Sequence, residues 1–297
     1  MSPAPLASIV IPAYHSDATI ADCLSSLRNQ TFREFETIVV NSSPGDGTGS
    51  LVTSRFPEVR YEESSTRLLP HAARNRGVEL ARGGALVFTD PDCIAAPDWL
   101  ERLLTAAAGG AVVQGSMGLH GDGWLMRGIH LCKWFQLLPG PTARALRSVS
   151  TGNVCYPRAA FEAAGPFQGE FFCGDALLGW RAFELGYALR FEPGAVVEQI
   201  HRGTFRSFCR ERFSRGREYA EVIARRGGWS RAHAAAMSVA APLLLGLVTA
   251  RAARAAWRSG WKAAFLVTLP VQLAGQAAWC GGEAVARARL VLRGTGP

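Results

Sequence analysis

Ala85-Leu86-Val87-Phe88-Thr89-Asp90-Pro91-Asp92-Cys93 joins an apolar run to a closely spaced acidic pair. Its first four residues form a short apolar run, uncharged and preceded by Gly83-Gly84, which is the pattern of a strand buried on both faces. The run ends in two carboxylates one residue apart, so Asp90 and Asp92 project from a strand end into a loop. In open α/β sheets ligands bind beyond the carboxyl ends of strands. Two carboxylates at such a place can hold a hard divalent cation that also grips a diphosphate. An Asp-x-Asp pair also ends many strands as a plain acidic turn, and the pair alone does not separate the two readings.

Outward from this stretch, strand-like and helix-like segments alternate. The β-branched run Ala7 to Ile11 stops at Pro12, and a helix pattern follows with Ile20, Leu24 and Leu27 on one face and Asp17 as its expected N-cap. Residues 35–40 read as a second strand, closed by the turn-rich segment 41–48. A short helix (50–55), a strand (59–62) and a helix (71–81) lead to the strand 85–88. Beyond the acidic pair come a helix over 97–108, a strand over 111–114, an aromatic-rich segment over 124–138 that suits a core or an interfacial helix, helices over 157–164 and 175–185, and a strand-like run over 195–199. Alternation of this kind predicts an α/β fold, a Rossmann-like, doubly wound and mostly parallel sheet.

The 297 residues carry a net charge of +8, almost all of the positive charge being arginine, since Lys133 and Lys262 are the two lysines. A cationic balance raises nucleic acid, anionic membranes and phosphorylated substrates as partners. With no zinc-finger spacing and no nucleic-acid motif, and with much of the arginine flanking apolar segments, the reading is membrane contact and no nucleic acid. The seven scattered cysteines include no Cys-x-x-Cys pair, which fits reduced thiols in a cytosol-facing protein. No signal-peptide pattern opens the chain.

Past His201 the composition changes. Residues 206–232 combine many arginines with Phe208 and Phe213, as a basic amphipathic linker helix at a membrane surface does. Two uncharged runs follow, 234–250 and 263–282, close to the ~20 residues that span a bilayer. Basic residues sit between and outside them, so the positive-inside rule does not orient them. The expectation is a C-terminal segment, 233–297, of two apolar helices forming a membrane hairpin, with helices lying on or dipping into one leaflet as the alternative and a soluble core pair as the third reading.

Five segments now fall in one order: Ser8-Ile9-Val10-Ile11-Pro12-Ala13-Tyr14, Leu24 to Thr31, Ile38 to Thr48, Ala73-Arg74-Asn75-Arg76-Gly77, and Thr89-Asp90-Pro91-Asp92. Together they resemble the family 2 glycosyltransferases of the GT-A fold, over roughly residues 6 to 205. The resemblance implies a catalytic domain over 1–205, with a nucleotide-sugar half over 1–115 and an acceptor half over 116–205. It implies an inverting transfer from a nucleotide diphosphate sugar, a UDP-sugar favoured, with Mg²⁺ or Mn²⁺ as cofactor. Asp92 is then the direct metal contact, Asp90 lies toward the ribose or the metal's outer shell, and Arg74 lies near the diphosphate or the base. Pro12, Ala13 and Tyr14 wall the nucleobase pocket. Asn41 and Asp46 fall in the base-binding loop, where Asn41 replaces a usual Asp; Asp46 equally suits a turn and cap role.

In the second half, the segment 172–181 resembles the family's acidic motif before the acceptor helix, with Gly174 in place of the usual Glu. Asp175 aligns with the general base, and Arg181 with an anchor for that helix or for the acceptor's charge. Thr151, Gly152 and Asn153 resemble the lining of the donor-sugar and acceptor pocket, though a tight turn would read the same way. His201 stands where some GT-A enzymes place a His touching metal or diphosphate, though a lone His is more often structural. The apolar C-terminal segment would set the site near a lipid surface. The acceptor expected is therefore lipid-linked or part of an envelope polysaccharide, on a membrane-associated enzyme with its catalytic domain in the cytoplasm. A polyprenyl-phosphate sugar synthase is the nearest alternative. A sugar-phosphate nucleotidyltransferase would open on a Gly-rich phosphate loop, which this chain lacks. The departures Asn41 and Gly174 keep an inactive membrane scaffold open. Nothing in the sequence sets the oligomeric state.

Overall fold

A computed structural model describes residues 5–140, 142–168 and 172–293. In chain order the first half comprises β1 (Ala7–Ala13), α1 (Ile20–Arg28), β2 (Phe35–Asn41), α2 (Thr48–Arg55), β3 (Arg60–Glu63), α3 (Pro70–Leu80), β4 (Ala85–Thr89), β5 (Cys93–Ala95), α4 (Trp99–Ala107) and β6 (Val112–Leu119). The second half comprises α5 (Trp124–Trp134), β7 (Arg144–Ala145), β8 (Asn153–Pro157), α6 (Arg158–Ala164), α7 (Gly174–Glu184), β9 (Leu189–Gln199), α8 (Phe205–Gly227), α9 (Arg231–Val239), α10 (Ala241–Arg258) and α11 (Lys262–Arg293). The chain divides into two compact units, 1–120 with 139–200, and 121–138 with 201–297.

The first unit is an α/β structure on one mixed sheet of order β3-β2-β1-β4-β8-β6-β9-β5, with β7 on β9. The half β3-β2-β1-β4 is parallel, as the βα alternation predicts. β8 then enters antiparallel between β4 and β6, and β6 pairs β9 in parallel across a bulge at Gly115/Ser116. The centre is dry: Val10, Leu86, Phe88, Val154, Tyr156 and Leu178 share one buried cluster. β1 and β4 read as unbroken apolar runs because both of their faces are covered.

The expectations differ from the structure in several places. β5, β7 and β8 are strands that hydropathy did not mark. α1 begins at Ile20 with Thr19 as its N-cap, not Asp17, and neither Thr19 nor a neighbour caps it through a side chain. In the second unit the apolar run 234–250 is not one continuous helix: it is interrupted between α9 and α10, which are long and apolar enough to cross a membrane only taken together, as a pair bent by 62°. A proline in the first turn of α10 cannot donate into a preceding turn, which accounts for the break. Among the described residues, α11 is the single unbroken helix long and apolar enough to cross a membrane.

Candidate active site

The carboxyl ends of β1, β2 and β4 lie on one edge of the sheet, and β8, being antiparallel, begins at the same edge, with Asn153 opposite Thr89. Tyr14, Asn41, Asp90 and Gly152 therefore converge there. One oxygen of Asp90, Oδ1, accepts a hydrogen bond from Arg74 Nη2. The other faces Gly152, where a Cβ would stand 3.4 Å from Oδ2. The Thr89 hydroxyl fixes this approach by donating to the Gly152 carbonyl at 3.1 Å. Asp92 is held from β9: Gln199 Nε2 donates to its Oδ2 at 3.1 Å, and the Ile200 N–H donates to its carbonyl at 2.7 Å.

Among the described residues no group of three or more His, Cys, Asp and Glu side chains gathers as a cation cage. Among the described residues the carboxylate pair is what this edge offers a cation. That suits Mg²⁺ or Mn²⁺ bound through one or two carboxylates, with substrate phosphates and water as the remaining ligands, and not an all-protein site. Room left beside Asp90 Oδ2 by the bare Cα of Gly152 fits the same arrangement.

Arg74 is 3% exposed, and its guanidinium is divided between Asp90 and His71, whose Nδ1 lies 3.3 Å from Nη1. Its Nε is buried and has no partner among the described residues. A guanidinium so placed fixes the Asp90 carboxylate and is not itself open to solvent.

Asn41 is fully buried, and its side chain is committed to the loop: Oδ1 accepts from the Ser43 hydroxyl at 2.9 Å, and Nδ2 donates to Tyr61 Oη at 3.1 Å. Tyr61 in turn donates to Glu63 at 2.6 Å. Nδ2 also lies 3.5 Å from Asp46 Oδ1. An Asp at 41 could supply neither of these donations, which gives the amide here a physical reason. Asp46 accepts from the hydroxyls of Ser43 and Thr48 and from the Thr48 N–H, so it closes the turn and caps α2. Burial raises its carboxyl, but these hydrogen bonds outweigh burial and hold it below the ordinary carboxylate value. Pro12 and Ala13 are buried at the end of β1, whereas Tyr14 is 42% exposed with the Arg67 guanidinium 4.6 Å above its ring.

Asp175 stands in the first turn of α7, its Oδ1 accepting from the Ala176 N–H at 2.8 Å. Its charge reaches His71 and Tyr156. Arg181, farther along α7, donates to the Pro166 carbonyl and so ties that helix to the segment after α6. Thr151 is buried beside Gly152. Asn153 is fully buried, and its amide joins three elements: Nδ2 donates to the carbonyls of Ser116 and Ala195, both at 2.8 Å, and Oδ1 accepts from Trp99 Nε1 at 2.8 Å. His201 belongs to the second unit, where its Nε2 is 3.0 Å from His130 Nδ1. Burial, then Lys133 and His130, push it down to about 3, so it is neutral.

Four residues of this edge carried no sequence signal strong enough to select them: Gln199 on Asp92, His71 on Arg74, Tyr61 on Asn41 and Arg67 over Tyr14. Three of the four have partners distant in sequence. His71, one helical turn before Arg74, could have been found by asking what satisfies a buried guanidinium.

Comparison with known proteins gives this geometry its context. The family model for glycosyl transferase family 2 matches residues 8–164. The glycosyltransferase AglE of Haloferax volcanii is 26% identical over 200 residues, covering 65% of this chain and 66% of AglE. The validoxylamine A glucosyltransferase of Streptomyces hygroscopicus is 34% identical over 121 residues, covering 38% of this chain and 26% of that enzyme. The chain thus spans between about a quarter and two thirds of these relatives' lengths. A solved mannosyltransferase from Pyrobaculum calidifontis, in complex with GDP-mannose and Mn²⁺, superposes with a TM-score of 0.63 over 99% of this chain and 89% of that one, at 20% identity. That likeness establishes the shared GT-A fold. With the family model covering more than half of its residues, the chain belongs to the family 2 glycosyltransferases.

Proposed function

We propose that the protein transfers a sugar, with inversion, from a nucleotide diphosphate sugar to a hydroxyl of a lipid-linked or envelope-glycan acceptor, a UDP-sugar being the favoured donor. The observation that carries this reading is the acidic pair at the end of β4, each member held in place by a different element, Asp90 by Arg74 and Asp92 by Gln199. Asp92 would hold Mg²⁺ or Mn²⁺, with Asp90 beside it toward the ribose. When bound, such a cation offsets the negative charge that grows on the diphosphate as the sugar leaves.

The chain's own residues supply the rest. Tyr14, with Pro12 and Ala13 behind it, offers an exposed ring for the base. Asn41 and Asp46 support that pocket by shaping its loop, and Arg74 acts through Asp90. Asp175 takes the proton of the acceptor hydroxyl as its oxygen attacks the anomeric carbon. The bond from that carbon to the diphosphate oxygen breaks, and the nucleoside diphosphate departs with the electron pair. Thr151 and Gly152 border the sugar, with Asn153 fixing the strand behind them, and Arg181 holds the helix that carries Asp175. The C-terminal helices attach the enzyme to a membrane, with the catalytic unit on the cytoplasmic side.

The test is calorimetric titration of the full chain with UDP-, GDP- and dTDP-sugars, with and without Mn²⁺. One nucleotide class should bind in a Mn²⁺-dependent manner, and Asp92→Ala should abolish the metal dependence. Binding that is indifferent to both the metal and the substitution would refute the metal-site reading.

A further inference from the structure

We propose that His71 is a positioning residue that couples the donor side of the site to the loop in front of the catalytic base. The inference rests on the reading above, in which Asp90 faces the donor and Asp175 is the base.

His71 is the second residue of α3 and is 3% exposed. Its Nδ1 lies 3.3 Å from Arg74 Nη1, and its Nε2 lies 3.1 Å from the carbonyl oxygen of Phe172. A guanidinium only donates, so Nδ1 is the acceptor nitrogen; the ring proton is on Nε2 and is donated to Phe172. Burial and then the Arg74 charge push His71 below its ordinary value, against the pull of Asp175 and Asp90, which keeps the ring in this neutral form. Stacking on Phe167, with centroids 5.1 Å apart and planes 20° apart, fixes its plane.

The result is one continuous chain of hydrogen bonds: Asp90 to Arg74, Arg74 to His71, His71 to Phe172, which stands just before Asp175. A side chain at 174 would break it. A Cβ on Gly174 would lie 2.8 Å from His71 Cδ2 and 2.8 Å from the Gln168 carbonyl oxygen. The absence of a side chain at 174 therefore goes with the imidazole beside it: the Glu that the resemblance leads one to expect there is replaced by a His reaching in from another helix.

The two ring nitrogens can be tested separately. Asn at 71 offers an acceptor in the place of Nδ1 and drops the reach to Phe172. Gln offers an N–H in the place of Nε2 and drops the contact with Arg74. Three measurements on the full chain with Mn²⁺ read the outcome: calorimetric binding of UDP and GDP, hydrolysis of the corresponding sugar nucleotides, and amide hydrogen exchange over 172–176. His71→Gln should weaken Mn²⁺-dependent nucleotide binding about tenfold, the loss of one buried charge-assisted hydrogen bond, and leave exchange over 172–176 as in the wild type. His71→Asn should hold binding within about twofold, lower kcat about tenfold and speed exchange over 172–176. A general structural role would move all three measurements alike in both variants, and that pattern, or two wild-type-like variants, would overturn the proposal. If the wild type binds neither nucleotide in a Mn²⁺-dependent manner, the donor-site reading fails, and exchange over 172–176 in the two variants still decides whether His71 holds the Phe172 carbonyl.

Discussion

At the scale of single residues, the departures of this chain from its family pattern have local partners. Asn41 stands where an acidic residue is usual because Asp46 and Tyr61 take hydrogen bonds that only an amide can give at that point. Asp46 then carries a testable cost. Its folded-state pKa is depressed, so the stability it contributes is present above the unfolded value of about 4 and is lost as pH falls through the folded value. Asp46→Asn should therefore destabilise the protein by about 1–2 kcal/mol at pH 7, and the gap to wild type should close toward pH 3. Urea melts at the two pH values measure this, and a gap that stays constant would contradict the assignment. The acidic pair itself was legible, since its spacing and its place after an apolar run are local features. The residues that hold it were not. Gln199 is on the last strand, with no local pattern that points to position 92, whereas His71 is one helical turn before Arg74 and becomes legible only once the guanidinium is known to be buried.

At the scale of elements, hydropathy located what is periodic or long and missed what is short. β8 is five residues, Asn153–Pro157, with no alternation, because its pleat is covered on both faces. Its start was therefore open to reading as a turn. What makes it a strand is tertiary: ladder pairing with β4 on one side and β6 on the other, and the Asn153 amide fastening it to the β6 and β9 backbones. The placement of α3 rests on an equally long-range fit. A Cβ on Gly77 would meet Val10 Cγ1 at 2.3 Å, so α3 lies on β1 with only a hydrogen atom's room between them. That seat sets where Arg74 arrives. Gly77→Ala should cost about 1–3 kcal/mol by overpacking. In a Val10→Ala background the same change should cost at least about 1 kcal/mol less, since neighbours sharing a space couple. Additive costs in denaturant melts of the four proteins would show that the contact is not what seats the helix.

At the scale of the whole molecule, the second unit turns the usual pattern of a helix inside out. Along α11, Thr268 (1% exposed) and Gln272 (3%) are buried with Gln276 and Arg287, while Leu266 (58%) and Val267 (64%) face outward with Leu273, Val285 and Leu292. Most of the inward polar atoms are paired: Gln272 Nε2 with the Phe265 carbonyl and Thr268 hydroxyl, Gln276 with Arg212, and Arg287 with Glu283, while Gln272 Oε1 and Arg287 Nε have no partner among the described residues. In water an outward apolar face of this length would be a liability, whereas hydrocarbon covers it at no cost. The sequence could show only that 263–282 is uncharged; that its polar residues share one face and that this face is the buried one emerged from packing against α5 and α8. Membrane attachment should therefore depend on the outward residues alone. Leu266→Arg with Val267→Arg, changed together in the full chain, should leave the melting temperature within a few degrees, because both side chains are more than half exposed. The same pair should move the protein out of the membrane fraction and abolish its flotation with liposomes rich in phosphatidylglycerol. Each arginine placed in hydrocarbon costs on the order of 2–3 kcal/mol, enough together to reverse a partition held by one helix face. Flotation that survives the double substitution would mean that α11 does not hold this protein to lipid.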